Sequence, residues 1–236
     1  MTTRPQYLAD LKRLQRETDM LLANVASFTD QEITRPSQCE GWTRGHVITH
    51  LARSAEALTR MLDNALTGSS DPMYPSPEQR NADIEAGAGR PAKEQLADLQ
   101  QAHAAFMARA QALIDTPGAA EQVDLRGRPF QSHALPNLRC AEVVIHHQDL
   151  DSTFELHEAD PDSQLDALNS VVWMLQGKPE APGLTVTTYE GDELVVGDGA
   201  TTVIGERDGV VDWLARGHTE RVRTTDGSPL PDVPRW

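Results

Sequence analysis

The sequence has little of several features that define common classes of protein. Its 236 residues include only two cysteines, Cys39 and Cys140, too few for a disulfide framework in a chain of this length. No apolar run approaches the ~18 residues of a membrane-spanning helix, and residues 1–10 carry no apolar core of a signal peptide. These absences predict a cytoplasmic protein in a reducing compartment.

Basic residues are also scarce. The chain has 21 lysines and arginines against 36 aspartates and glutamates, which gives a formal net charge of −15. Nucleic acids and anionic membrane surfaces are bound through clustered positive charge, so neither is expected as a partner. An anionic small molecule would need a local positive centre, either a metal ion or a well-placed arginine.

Four long helices are predicted in the first two thirds of the chain. Apolar residues recur there at steps of three or four, as from Leu8 to Leu11 and Leu14, which is typical of amphipathic helices. The predicted helices span residues 7–28, 43–68, 91–115 and about 137–154, with a short helix over 77–86 and an irregular segment over 116–136. Thr43 is predicted as the N-cap of the second helix and Gly68 as its end. Such a pattern predicts a four-helix bundle.

The pattern changes near residue 158, where we place a domain boundary between residues 1–158 and 159–236. The second part reads as a helix, three short strands and another helix, at residues 163–176, 184–189, 193–196, 201–205 and 208–215. Residues 190–192 and 197–199 are predicted as hairpin turns, and residues 228–236 as a proline-rich tail. The whole chain is therefore predicted to be α+β, with a helical bundle and then a small α+β domain.

Two pairs of potential metal ligands lie on the predicted helices. Glu142 and His146 are four residues apart and share one helix face, and His46 and His50 have the same spacing on the second helix. One histidine of the second helix, added to Glu142 and His146, gives three ligands and leaves a coordination position open, as in catalytic zinc sites. The competing interpretation is that each pair lies on the solvent-facing side of its helix.

Four stretches of the sequence resemble a known family. Residues 41–52, GWTRGHVITHLA, resemble the helix-opening motif of the DinB-like bundle superfamily and, within it, of the mycothiol-dependent maleylpyruvate isomerase group. Residues 73–81, residues 142–150 and the chain end from Gly227 to Trp236 are similar to further motifs of that group. The resemblance covers residues from about 35 to the end and implies a DinB-like four-helix bundle followed by a domain resembling sterol carrier domains.

The resemblance also implies which residues form the site. His50, Glu142 and His146 would bind a divalent metal, for which zinc suits the ligand set, and His46 would be a neighbour of the metal site. Arg216 lies where the group has a catalytic arginine. Two further arginines, Arg221 and Arg223, are close enough in sequence to compete for that role.

The implied activity is the isomerisation of maleylpyruvate to fumarylpyruvate, a step of gentisate-type aromatic catabolism. Mycothiol would be the thiol cofactor: a metal-activated thiolate adds to the double bond, the bond rotates, and the thiolate leaves. Arg216 would bind a carboxylate of the anionic substrate. The alternatives are a mycothiol S-transferase acting on another electrophile, a metal-dependent hydrolase and a non-enzymatic binding module. We expect a monomer, since no long apolar seam is left over.

Overall fold

The computed structural model describes residues 3–234, and the chain divides into two compact units between Glu155 and Leu156. Arg235 and Trp236, which end the fourth resembling stretch, lie outside the described residues. Within the described part of the chain, no helix is long and apolar enough to cross a membrane.

The first unit is built around a bundle of four long helices. Its helices are α1 (Arg4–Ala26), α2 (Asp30–Ile33), α3 (Arg44–Thr67), α4 (Pro77–Ala88), α5 (Ala92–Asp115) and α6 (Leu135–Asp149). Both α1 and α3 pack against α5 and α6, so the four long helices enclose one apolar core. The predicted bundle is confirmed. The very short α2 was not predicted.

The ends of α3 follow from local sequence, as predicted. Thr43 is the N-cap, and its side chain and that of His46 form a reciprocal capping box with the two backbone N–H groups. Gly68 ends the helix in the left-handed conformation (φ 75°), which glycine adopts without steric cost. The start of α3 matters for function because it fixes where His46 and His50 point.

Two details of the first unit differ from the prediction. The segment 116–136 is not wholly irregular, since it contains an antiparallel hairpin of β1 (Gln122–Leu125) and β2 (Arg128–Gln131). Its turn residues, Arg126 and Gly127, both have positive φ, the geometry of tight hairpin turns. Helix α6 ends at Asp149 and not near residue 154, because the chain turns sharply after it, with Asp151 at φ 48°.

The second unit combines two helices with a four-stranded sheet, which confirms the α+β class. Its elements are α7 (Pro161–Gln176), β3 (Leu184–Thr188), β4 (Glu193–Val196), β5 (Thr201–Gly205), α8 (Arg207–Arg216) and β6 (Val222–Thr224). The strand order is β4-β3-β5-β6, with β3 parallel to β5 and the other pairs antiparallel.

The sheet order overturns one turn prediction. Residues 197–199 do not form a hairpin, because β4 and β5 lie on opposite sides of β3 and the connection crosses from one side to the other. The turn at 190–192 does join the antiparallel pair β3 and β4. The three-residue β6 was not predicted; among the described residues it pairs with β5 alone, which is distant in the sequence, so nothing local marks it.

Candidate metal centre

Helices α3 and α6 bring together the three side chains that the sequence singled out. Nε2 of His50 lies 3.1 Å from Oε2 of Glu142, and Nε2 of His146 lies 3.7 Å from the same oxygen. One donor atom from each residue lies within 4.8 Å of the others. The two imidazole rings meet edge to face with their centroids 4.6 Å apart. Ser54 donates a hydrogen bond of 3.3 Å to Glu142.

Burial distinguishes this arrangement from a solvent-facing one. His50 and His146 are each 5 % exposed, and only 12 % of the Glu142 side chain is accessible. The apolar residues beside them on the two helices, such as Ile48 and Val143, are completely buried and hold both helix faces in the core. Polar groups at such positions are costly unless they have partners, and each of the three has the others.

The electrostatics of the cluster favour a negatively charged carboxylate beside a neutral imidazole. Burial alone would raise the pKa of Glu142, but the hydrogen bond from His50 and the charges of His50, His146 and Arg126 outweigh it, so the pKa lies well below the ordinary range. Burial, followed by the neighbouring His146, lowers the pKa of His50 to about 4. Carboxylate and neutral imidazole are the forms that bind a metal.

The donor chemistry fits a divalent metal. Two imidazole nitrogens and a carboxylate oxygen form a ligand set that suits zinc and leaves one tetrahedral position for another molecule. Behind His146, the Asp149 carboxylate lies 2.6 Å from Nδ1, an outer contact that fixes the ring and its tautomer. His50, Glu142 and His146 would hold the ion, and Asp149 would support it.

The contact behind His50 is different. There Nη2 of Arg80 lies 3.3 Å from Nδ1, so the ring faces a hydrogen-bond donor, and not the acceptor that usually stands behind a metal-binding histidine. Arg80 is half-buried on α4, with its guanidinium carbon 5.8 Å from the centre of the Tyr74 ring. The side-chain chemistry of Tyr74 and Arg80 alone predicts no role for them, although both lie in residues 73–81, one of the stretches that resemble the family.

A cysteine also lies beside the cluster. Cys39, His146 and Asp149 form a second set of three donors within 4.8 Å of one another, which shares His146 with the first set. The backbone N–H of Gln38 donates to the carbonyl of Asp149 at 2.9 Å, which ties the Cys39 loop to the end of α6. No sequence pattern relates Cys39 to His146, so this contact could not be predicted.

Trp42, just before α3, lies beside two histidines of that helix, His46 and His50. The Trp42 ring lies 5.5 Å from the ring of His50 and stacks on His46 at 6.2 Å. Nδ1 of His46 is engaged with the capping threonine, Thr43, and Nε2 lies 3.4 Å from Glu85. His46 is therefore a neighbour of the cluster, and its ring is not part of either donor set.

The three arginines considered from the sequence all lie in the second unit. Arg216 is the last residue of α8, and its Nη1 donates to the carbonyl of Ala215. Arg221 forms an ion pair of 2.6 Å with Asp208. Arg223 is exposed on β6. The ion pair commits Arg221 to a structural contact within its own unit.

Comparison with known proteins identifies the family. Residues 14–151 match the model of the mycothiol maleylpyruvate isomerase N-terminal domain family. No curated protein gives a significant sequence match. Two solved structures are similar, the crystal structure of the mycothiol-dependent maleylpyruvate isomerase and that of a variant in which one histidine is replaced by alanine. Each has a TM-score of 0.83 and 23 % sequence identity, and covers 98 % of this chain and 97 % of its own.

The solved structures share the fold at low sequence identity, while the family match extends over more than half of the chain and includes α3 and α6. The residues of the candidate metal centre, from Cys39 to Asp149, lie inside the matched range. The chain therefore belongs to the mycothiol maleylpyruvate isomerase N-terminal domain family.

Proposed function

We propose that this chain is a metal- and mycothiol-dependent isomerase that converts maleylpyruvate to fumarylpyruvate. The observation that carries the proposal is the convergence of His50, Glu142 and His146 from two helices, in a chain of this family. Zinc is the proposed ion because two imidazoles and one carboxylate suit it.

Each residue of the cluster has a definite task in this proposal. His50 and His146 present nitrogen lone pairs, and Glu142 contributes the negative charge that offsets part of the charge of a divalent cation. Asp149 keeps the His146 ring in the required tautomer. Trp42 places an apolar ring beside His50. A bound metal would supply the acidity that deprotonates a thiol at neutral pH.

The substrate is an anion, and the chain carries a net charge of −15, so binding needs a local cation. We propose Arg216 as a catalytic residue that binds a substrate carboxylate through its planar fork.

The test is an isomerisation assay on maleylpyruvate with the zinc-loaded protein, with and without mycothiol, in wild type and in His50→Ala. We expect thiol-dependent formation of fumarylpyruvate by the wild type and only background conversion by His50→Ala. His157→Ala, at an exposed histidine that belongs to neither donor set, is the matched control and is expected to keep its zinc.

Three outcomes would contradict the proposal. Conversion that needs no thiol or no metal would refute the mechanism. A stable thiol adduct in place of fumarylpyruvate would identify an S-transferase. A hydrolytic product that forms without thiol would identify a hydrolase.

A further inference from the structure

The guanidinium of Arg80 has no carboxylate partner within residues 3–234. Within residues 3–234, its contacts are Nδ1 of His50 at 3.3 Å, Oδ1 of Asn81 at 3.1 Å and the ring and hydroxyl of Tyr74. None of these is a carboxylate. By contrast, the half-buried Arg53 and Arg90 both pair with Asp98. A guanidinium has five N–H donors, so Arg80 retains capacity for an anion.

The hydrogen bond from Arg80 to Nδ1 of His50 would be lost when the other ring nitrogen, Nε2, binds a metal. A neutral imidazole that offers its Nε2 lone pair carries its proton on Nδ1. Nδ1 then no longer accepts a hydrogen bond, and the Arg80 N–H that points to it needs another acceptor. A carboxylate of a ligand beside the donor set would satisfy this guanidinium with two parallel hydrogen bonds.

Two further groups lie near the same place. The Tyr74 hydroxyl accepts a hydrogen bond from Arg80 and keeps its own O–H as a donor. Arg126, at the turn of the β1–β2 hairpin, is close enough to stabilise the charge of Glu142 and to act on Tyr74. Three separate segments of the first unit thus bring a hydroxyl or a positive charge near His50 or Glu142.

We propose that Arg80 is the group of the first unit that recognises a carboxylate of the ligand, with Tyr74 and Arg126 beside it. The site would then select anionic over neutral molecules of the same shape. This inference rests on the proposed function for the identity of the donor set, but it concerns binding and its test does not need the reaction.

The experiment is calorimetric titration of the zinc-loaded protein with maleate, a cis-dicarboxylate, and with its neutral dimethyl ester, in the absence of thiol. The variants are Arg80→Gln, Arg80→Lys and, as the matched control, Arg109→Gln. Arg109 is an exposed residue of α5 paired with Asp63, and its substitution changes the net charge equally. Zinc content is measured for every protein.

We expect Arg80→Gln to weaken maleate binding about tenfold or more, as for a lost charge-assisted hydrogen bond. Arg80→Lys should bind with intermediate affinity because it keeps the charge and loses the fork. Arg109→Gln should bind maleate as the wild type does, all variants should keep their zinc, and the dimethyl ester should bind weakly to all of them.

Three results would overturn the inference: a wild-type protein that does not bind maleate, an Arg80→Gln variant that binds it normally, or loss of zinc in both Arg80 variants. The last result would make Arg80 a residue that positions His50. Arg80-dependent binding of maleate without isomerisation of maleylpyruvate would refute the proposed reaction and leave this inference intact.

Discussion

Nδ1 of His146 lies 2.6 Å from Oδ2 of Asp149, three residues further along α6. Asp149 is completely buried, and its backbone carbonyl accepts a hydrogen bond from Gln38, in the loop that carries Cys39. One residue thus fixes the His146 ring and ties the end of α6 to the loop before α3. The candidate centre is supported by this second layer of contacts as well as by its three donors.

Replacing Asp149 with asparagine should weaken metal binding without loss of the fold. The change keeps the shape and removes the negative charge behind His146, and contacts of this kind contribute about 10- to 100-fold to metal affinity. Competition with a chromophoric chelator measures the zinc affinity. Asp115→Asn, at an exposed aspartate paired with Arg4, is the control. Equal zinc affinity in Asp149→Asn and wild type would contradict the role of Asp149.

Substituting Glu142 with glutamine should abolish stoichiometric zinc binding. A neutral amide is a poor ligand, and this carboxylate is the only anionic member of the first donor set. Elemental analysis of the purified variant should find residual zinc only, and a chelator should no longer change its melting temperature. Glu56→Gln, at a carboxylate of α3 that pairs with Arg53, should bind zinc normally. Normal zinc content in Glu142→Gln would remove Glu142 from the ligand set.

His103 should make the folded state less stable in acid. Burial, followed by the charge of Arg139, lowers its pKa from 6.5 to about 4, and the opposing charge of Asp19 is weaker. The unfolded state therefore binds more protons between these values, so the stabilisation is complete above the unfolded pKa and is lost as the pH falls towards 4.

The loss attributable to His103 should be on the order of 3 kcal/mol between about pH 7 and about pH 4. Urea unfolding of the wild type and of His103→Gln at several pH values measures it, because glutamine does not titrate. The variant should lose less stability than the wild type over this interval. Identical pH dependence of the two proteins would show that His103 titrates normally.

Gly45 should not tolerate a side chain. A Cβ at this position, near the start of α3, would collide with the carbonyl oxygen of Ala88 and lie 2.8 Å from Cγ2 of Ile33. Overpacking of this kind costs about 1–3 kcal/mol, so Gly45→Ala should lower the free energy of unfolding by that amount. Gly89→Ala is the control, because no atom lies within 4 Å of its added Cβ. A thermal or urea unfolding curve for Gly45→Ala that matches the wild type would contradict this close packing.

Local sequence determined much of the bundle. The limits of α3 follow from the Thr43 cap and the left-handed Gly68, which act within a few residues of themselves. The hairpin β1–β2 was not predicted, because each of its strands has only four residues. Its turn also requires a positive φ at Arg126, a conformation that is uncommon for residues other than glycine. Within residues 3–234, strand β6 pairs only with β5, about twenty residues away along the chain and across α8.

The spacing of residues in the sequence determined that Glu142 and His146 share a helix face, because the α-helical repeat alone fixes that relationship. Spacing left His46 and His50 equivalent, and family resemblance favoured His50. Tertiary packing decided that His50 faces Glu142, 92 positions away, whereas His46 is held locally by the Thr43 cap. Cys39 and Arg80 reach the cluster only through long-range folding, since no short-range repeat links them to α6.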